Sequence, residues 1–137
     1  MNAYELIKLH EGFELYPYKC PAGKLTIGYG RNIEDNGISE EEAELMLAND
    51  IQRCVLELKR VLPWYDGLDD VRQAVLIDMC YNLGISRLLK FKRFLSALEQ
   101  DYYDLAAREM LDSLWAKQVG QRAERLALIM KTGEWHK

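Results

Sequence analysis

Apolar positions recur with different periods in different stretches of the chain, and the changes of period divide it. Between Glu40 and Leu62, residues Ala43, Leu47, Ile51, Val55, Leu58 and Leu62 return every three or four positions up to Pro63. That spacing predicts one helix of about 35 Å at 1.5 Å per residue. Ser39 with Glu42 three residues later supplies a capping box at its start. Upstream, residues 2–11 read as a short helix. Asn2 caps it, Glu5 follows three residues on, Leu6, Ile7 and Leu9 give an apolar face, and Gly12 ends it. From Phe13 to Asn32 the pattern changes. Tyr16 and Tyr18 precede Pro21-Ala22-Gly23, and Leu25, Thr26, Ile27 and Tyr29 follow. This predicts strand, turn, strand, with Pro at position i+1 and Gly at i+3 of a type I turn. Beyond Pro63 every segment reads as helix. Val71, Val75, Met79 and Leu83 form one stripe stopped by Gly84, and 91–98, 105–115 and 122–131 give three shorter helices, with Gly120 breaking before the last.

The expected class is α+β in a single domain, 1–137. It comprises a small N-terminal lobe with a hairpin (1–38), a linking helix (39–62) and an all-helical C-terminal lobe (63–137). Charge follows the same division. The three segments carry −1, −3 and 0, so the acidic excess of a chain of net charge −4 lies on the linking helix, whose outer face is solvated. An acidic chain with no basic stripe is a poor nucleic-acid binder, and that class is set aside. Cys20, Cys54 and Cys80 form no CxxC pair, and His10 and His136 are the only histidines. Neither a disulfide framework nor a metal centre is expected, and no cofactor. There is no secretory signal at the N-terminus, and no apolar run approaches the ~18 residues of a membrane span. The expectation is a protein that stays in a reducing cytoplasm until something releases it.

Glu11 stands out by position. The last residue before a terminating glycine sits at the negative end of a helix dipole, which favours the protonated carboxyl that a general acid needs. A plain surface glutamate at a helix end fits the same pattern. Cys20 and Thr26 flank the hairpin turn. Cys20 is a nucleophile or base by chemistry, but no histidine neighbours it, and a small half-buried hydrophobe is the competing reading. Cys54 and Cys80 fall in helical apolar stripes and belong to the core. The run Leu25-Thr26-Ile27-Gly28-Tyr29-Gly30 lacks the spacing and following helix of a phosphate loop.

Taken together, Glu11, eight residues, Cys20, five residues and Thr26 form a pattern that resembles the phage-type lysozymes or endolysins, glycoside hydrolase family 24. The surroundings match as well. They are His10-Glu11-Gly12-Phe13, Tyr16-Pro17-Tyr18-Lys19-Cys20-Pro21-Ala22-Gly23, Leu25 through Asn32, Gly37-Ile38-Ser39, the helix from Val71 to Gly84, and Arg122 through Trp135. The resemblance implies a lysozyme-like fold and cleavage of the β-1,4 bond between N-acetylmuramic acid and N-acetylglucosamine in peptidoglycan. It implies Glu11 as general acid, with Cys20 (where the family more often has Asp) and Thr26 acting on the opposite side of the sugar. Arg122 is expected to face and steady Glu11. Tyr29, Arg31, Asp78 and Asn82 are expected to bind substrate in a cleft between the lobes, and Arg31 to pair with Asp50. The short segment between Asn32 and Ser39 marks a compact member. With no signal-anchor helix before Glu11, a monomer without membrane anchor is expected, awaiting a holin pore to reach the wall. Two other readings use the same fold: a lytic transglycosylase, which needs one catalytic Glu, and a catalytically silent wall-binding domain.

Overall fold

Capping and turn chemistry build the first third of the molecule. The computed structural model describes all residues 1–137, which divide into two units, Met1–Met46 and Leu47–Lys137. In the first, α1 (Ala3–Glu11) starts where the Asn2 side chain accepts the Glu5 N–H at 2.9 Å. Satisfying an orphan first-turn donor in this way is what an N-cap does. Strands β1 (Glu14–Lys19), β2 (Leu25–Gly28) and β3 (Arg31–Asn32) make an antiparallel sheet in the order β1-β2-β3. Tyr18 lies opposite Thr26, Thr26 opposite Asn32, and the β1 register shifts between Glu14 and Tyr18. The hairpin turn is as the sequence indicates, with the Gly23 N–H donating to the Cys20 carbonyl at 2.7 Å. A one-turn helix, α2 (Ile33–Asn36), then begins where Asn32 accepts the Asp35 N–H.

Helix α3 (Glu40–Val61) spans the division between the units. Its capping box is complete. Ser39 Oγ accepts the Glu42 N–H at 3.1 Å, and the Glu42 carboxylate accepts the Ser39 N–H at 2.8 Å.

The second unit is helical throughout, after a short 3-10 turn at Tyr65–Gly67. It contains α4 (Asp70–Leu83), α5 (Ile85–Leu88), α6 (Lys92–Glu99), α7 (Tyr103–Leu111), α8 (Leu114–Val119) and α9 (Gln121–Thr132). Helix α4 buries Val75, Leu76, Met79, Cys80 and Leu83, so three of the four residues of the expected stripe are core. Helix α7 packs on α6 and α9. The single helix expected over 105–115 is two. Ser113 is extended, its Oγ accepts the Ala116 N–H at 3.1 Å and donates to the Met110 carbonyl at 2.7 Å, and α7 closes as α8 opens. A serine that satisfies the groups of two helix ends outcompetes continuation of the apolar run. Arg72 joins α4 to α9. Its guanidinium lies 3.4 Å from the Tyr103 ring centroid and donates to the Met130 and Lys131 carbonyls at 2.7 and 3.1 Å, capping the end of α9.

Candidate active site

Glu11 is the last residue of α1, and Gly12 (φ 73°) turns the chain from there into β1. The Glu11 side chain lies against Gly30 in the turn between β2 and β3. A Cβ at Gly30 would fall 2.7 Å from Glu11 Cδ and 2.9 Å from Cγ, and the glycine has φ +77°. The positive φ favours glycine there, and a side chain at this position would displace the Glu11 carboxyl from its seat. Beside them Phe13 stacks on Tyr29, with centroids 4.9 Å apart and planes at 24°. The Lys8 ammonium sits 4.9 Å from the Tyr29 centroid and 4.4 Å from that of Tyr4.

Cys20 and Thr26 meet across the hairpin turn. The Cys20 N–H donates to the Lys24 carbonyl at 2.9 Å, and the Thr26 hydroxyl donates to the same oxygen at 2.8 Å. Thr26, 3% exposed, is the one buried polar residue of the protein. The Cys20 thiol is held below its ordinary pKa, chiefly by a hydrogen bond from the Lys24 backbone N–H. Partial desolvation opposes this, and the Ala22 N–H and the Thr26 hydroxyl reinforce it. Donors aimed at a sulfur favour its thiolate, the form that acts as base or nucleophile. Cys54 and Cys80 are core, as expected, and burial pushes the Cys80 thiol up to about 12.

Arg31 is bound to Glu42, whose carboxyl this guanidinium and the Ser39 donors hold down to about 2. The expected pairing with Asp50 is replaced: Asp50 bonds Arg53 on its own helix at 3.2 Å. Both choices are local, because the capping box already points Glu42 toward the hairpin side and Arg53 lies one turn from Asp50. Tyr29, Arg31 and Glu42 line a cavity of about 440 Å³ with Ile27, Ile38 and Met46.

In the second unit Asp78 and Asn82 lie one turn apart on α4, each tied to another helix. Asp78 Oδ1 accepts from Arg122 Nε at 2.9 Å and Nη2 at 2.8 Å. Asn82 Oδ1 accepts the Trp115 indole N–H at 2.8 Å. Arg122 therefore has a partner within its own unit that the sequence did not indicate. Gly30, Trp115 and the amides of Ala22 and Lys24 were also not singled out. Only for Trp115 was there a signal, since a tryptophan in an apolar helix must place its N–H on an acceptor.

The descriptive model of the family "Phage lysozyme" matches residues 8–130. A probable T4-type lysozyme of Dictyostelium discoideum is 26% identical over 94% of this chain and 93% of its own length. An endolysin of the Acyrthosiphon pisum secondary endosymbiont phage 1 is 30% identical over 92% of this chain and 86% of its own. An endolysin of Bacillus phage B103 is 34% identical over 94% of this chain, which corresponds to 52% of that protein. No helix is long and apolar enough to cross a membrane. With a glutamate at a helix end folded over a glycine turn, and a thiol and hydroxyl gathered on the adjoining hairpin, the chain belongs to the phage lysozyme family, glycoside hydrolases that act on bacterial cell walls.

Proposed function

We propose that the protein hydrolyses the β-1,4 bond between N-acetylmuramic acid and N-acetylglucosamine in peptidoglycan, with Glu11 as general acid and Cys20 with Thr26 on the other face of the sugar. The observation that carries this reading is the Glu11 carboxyl seated on Gly30, on the same small sheet as the Cys20–Thr26 cluster. Glycoside cleavage needs one group to protonate the leaving oxygen and a second to stabilise the oxocarbenium-like centre or supply water to it. Glu11 is the carboxyl group placed for the first task. Cys20, whose thiol the turn amides bias toward ionisation, is the group for the second, and Thr26 offers the hydroxyl that orients water. A Thr26 hydroxyl with one proton serves the Lys24 carbonyl or the sulfur, so ionisation of Cys20 and rotation of Thr26 go together.

Tyr29, Arg31, Asp78 and Asn82 would contact the glycan. Arg122, whose guanidinium Asp78 holds through Nε and Nη2, is by resemblance to the family a supporting residue of the reaction. In this reading the protein is a monomeric endolysin that reaches the wall through a holin pore and lyses its host. The test is Glu11→Gln on purified peptidoglycan. The amide keeps the size of the side chain but has no proton to give, and general acid catalysis is worth about 10²- to 10⁴-fold. More than a tenth of normal activity in that variant would overturn the assignment.

A further inference from the structure

We propose that Trp115 is a positioning residue for substrate binding, its indole N–H locking the Asn82 carboxamide so that the amide donor faces the glycan. The inference rests on Asn82 contacting substrate, as proposed above. A carboxamide is nearly symmetric in shape, and without a fixed partner its oxygen and nitrogen exchange places by a half turn. Indole N–H is a donor and nothing else, so it accepts only one of the two orientations. The 2.8 Å bond from Trp115 Nε1 holds Asn82 Oδ1 inward, and no protein group bonds Nδ2.

Trp115 is well placed to serve as the fixed end. It is 4% exposed, Phe91 meets it edge-on with centroids 6.1 Å apart, and the Ser113 cap anchors the start of its helix. Asn82, in contrast, is exposed on the last turn of α4. One turn earlier Arg122 engages Asp78 through Oδ1 alone, leaving Oδ2 without a protein partner. The face of α4 thus offers an acceptor and a donor about 6 Å apart along the helix axis. N-acetylated sugars carry acetamido N–H and C=O groups together with hydroxyls, and so complement such a pair. The donor is defined only while Asn82 is prevented from flipping.

A double-mutant cycle on solubilised, uncross-linked glycan strands tests this, with kcat and KM measured for wild type, Asn82→Ala, Trp115→Phe and the double variant. Phenylalanine keeps an aromatic ring at the position and removes the N–H. Asn82→Ala should raise KM about three- to tenfold and Trp115→Phe about two- to fivefold, with kcat little changed, in line with one neutral hydrogen bond. In the Asn82→Ala background, Trp115→Phe should add nothing to KM. Additive effects, or an unchanged KM in Trp115→Phe beside a raised KM in Asn82→Ala, would overturn the positioning role and leave Asn82 as a contact. An unchanged KM in Asn82→Ala would remove the substrate contact itself and the inference with it. Should Trp115→Phe not fold, nuclear magnetic resonance of Glu11→Gln titrated with the same strands decides. The Trp115 indole and Asn82 side-chain amide signals should move together, and an indole signal that stays while the amide moves would refute the lock.

Discussion

The two units are held together by different physics. Within Met1–Met46 a single residue is buried, and it is the polar Thr26. Every buried apolar side chain, from Cys54 to Met130, lies in the second unit. The first unit is ordered by caps, a type I turn, strand pairing and the Arg31–Glu42 pair, interactions worth about 1 kcal/mol or less each when exposed. The second draws on hydrophobic burial, roughly 25 cal/mol per Å² of apolar surface. Chemistry and stability are correspondingly separated. The proposed acid at the end of α1, thiol in the hairpin turn and hydroxyl on β2 all belong to the sparsely buried first unit, where donors can be aimed at a sulfur or a sugar. The side chains with no exposed surface fill the helices.

Substitutions in the two units should therefore fail in opposite ways. Glu11→Gln should lose about 10²-fold or more in activity, with its urea unfolding curve superimposed on that of wild type. Leu76, fully buried on α4, should show the reverse. Leu76→Ala should cost about 2–5 kcal/mol in urea unfolding, while the protein that remains folded keeps its specific activity. A Glu11→Gln protein as destabilised as Leu76→Ala would erase the distinction between the units.

Cys20 sharpens the comparison within the first unit. Cys20→Ala should lose most activity, at least about tenfold, and Cys20→Asp should retain it because a carboxylate supplies the same charge. A thiol-alkylating reagent should inactivate wild type and spare Cys20→Asp. Cys54 and Cys80, buried in the helices, should react slowly. An unimpaired Cys20→Ala would make the position structural and favour the single-acid transglycosylase reading.

The smallest effect belongs to the Arg31–Glu42 pair. A depressed carboxyl pKa contributes stability that is full above the ordinary value and is lost as pH falls through the folded one. Here the window runs from about 4.5 down to about 2. Arg31→Ala should move the Glu42 titration, followed by carbon-13 resonance, back toward 4.5. It should leave the urea midpoint at neutral pH close to that of wild type, because an exposed pair is screened by solvent. An unmoved titration would remove Arg31 as the cause.

What could be read in advance follows from the range of the interactions. The Asn2 and Ser39 caps, the turn at Pro21–Gly23 and the helix Glu40–Val61 depend on residues within a few positions of one another, and all were legible. Ser113 was missed because an apolar run over 105–115 outweighed one capping serine. In the proposed site, Glu11, Cys20 and Thr26 were indicated only through the family resemblance that their pattern carries, since each alone also fits an ordinary surface, half-buried or strand residue. Trp115 and Asn82 are 33 residues apart, Arg122 and Asp78 44, and only packing of the helices reveals those pairs. The close approach of Glu11 to Gly30 was hidden for the same reason.

The central claim is that this chain hydrolyses the muramyl bond, using groups on both faces of the sugar. Mass spectrometry of the fragments released from purified peptidoglycan tests it most directly. Fragments ending in reducing N-acetylmuramic acid, carrying one water per bond broken, are the result the account predicts. Fragments ending in 1,6-anhydro-N-acetylmuramic acid would contradict it, since they arise by intramolecular attack and require neither Cys20 nor Thr26.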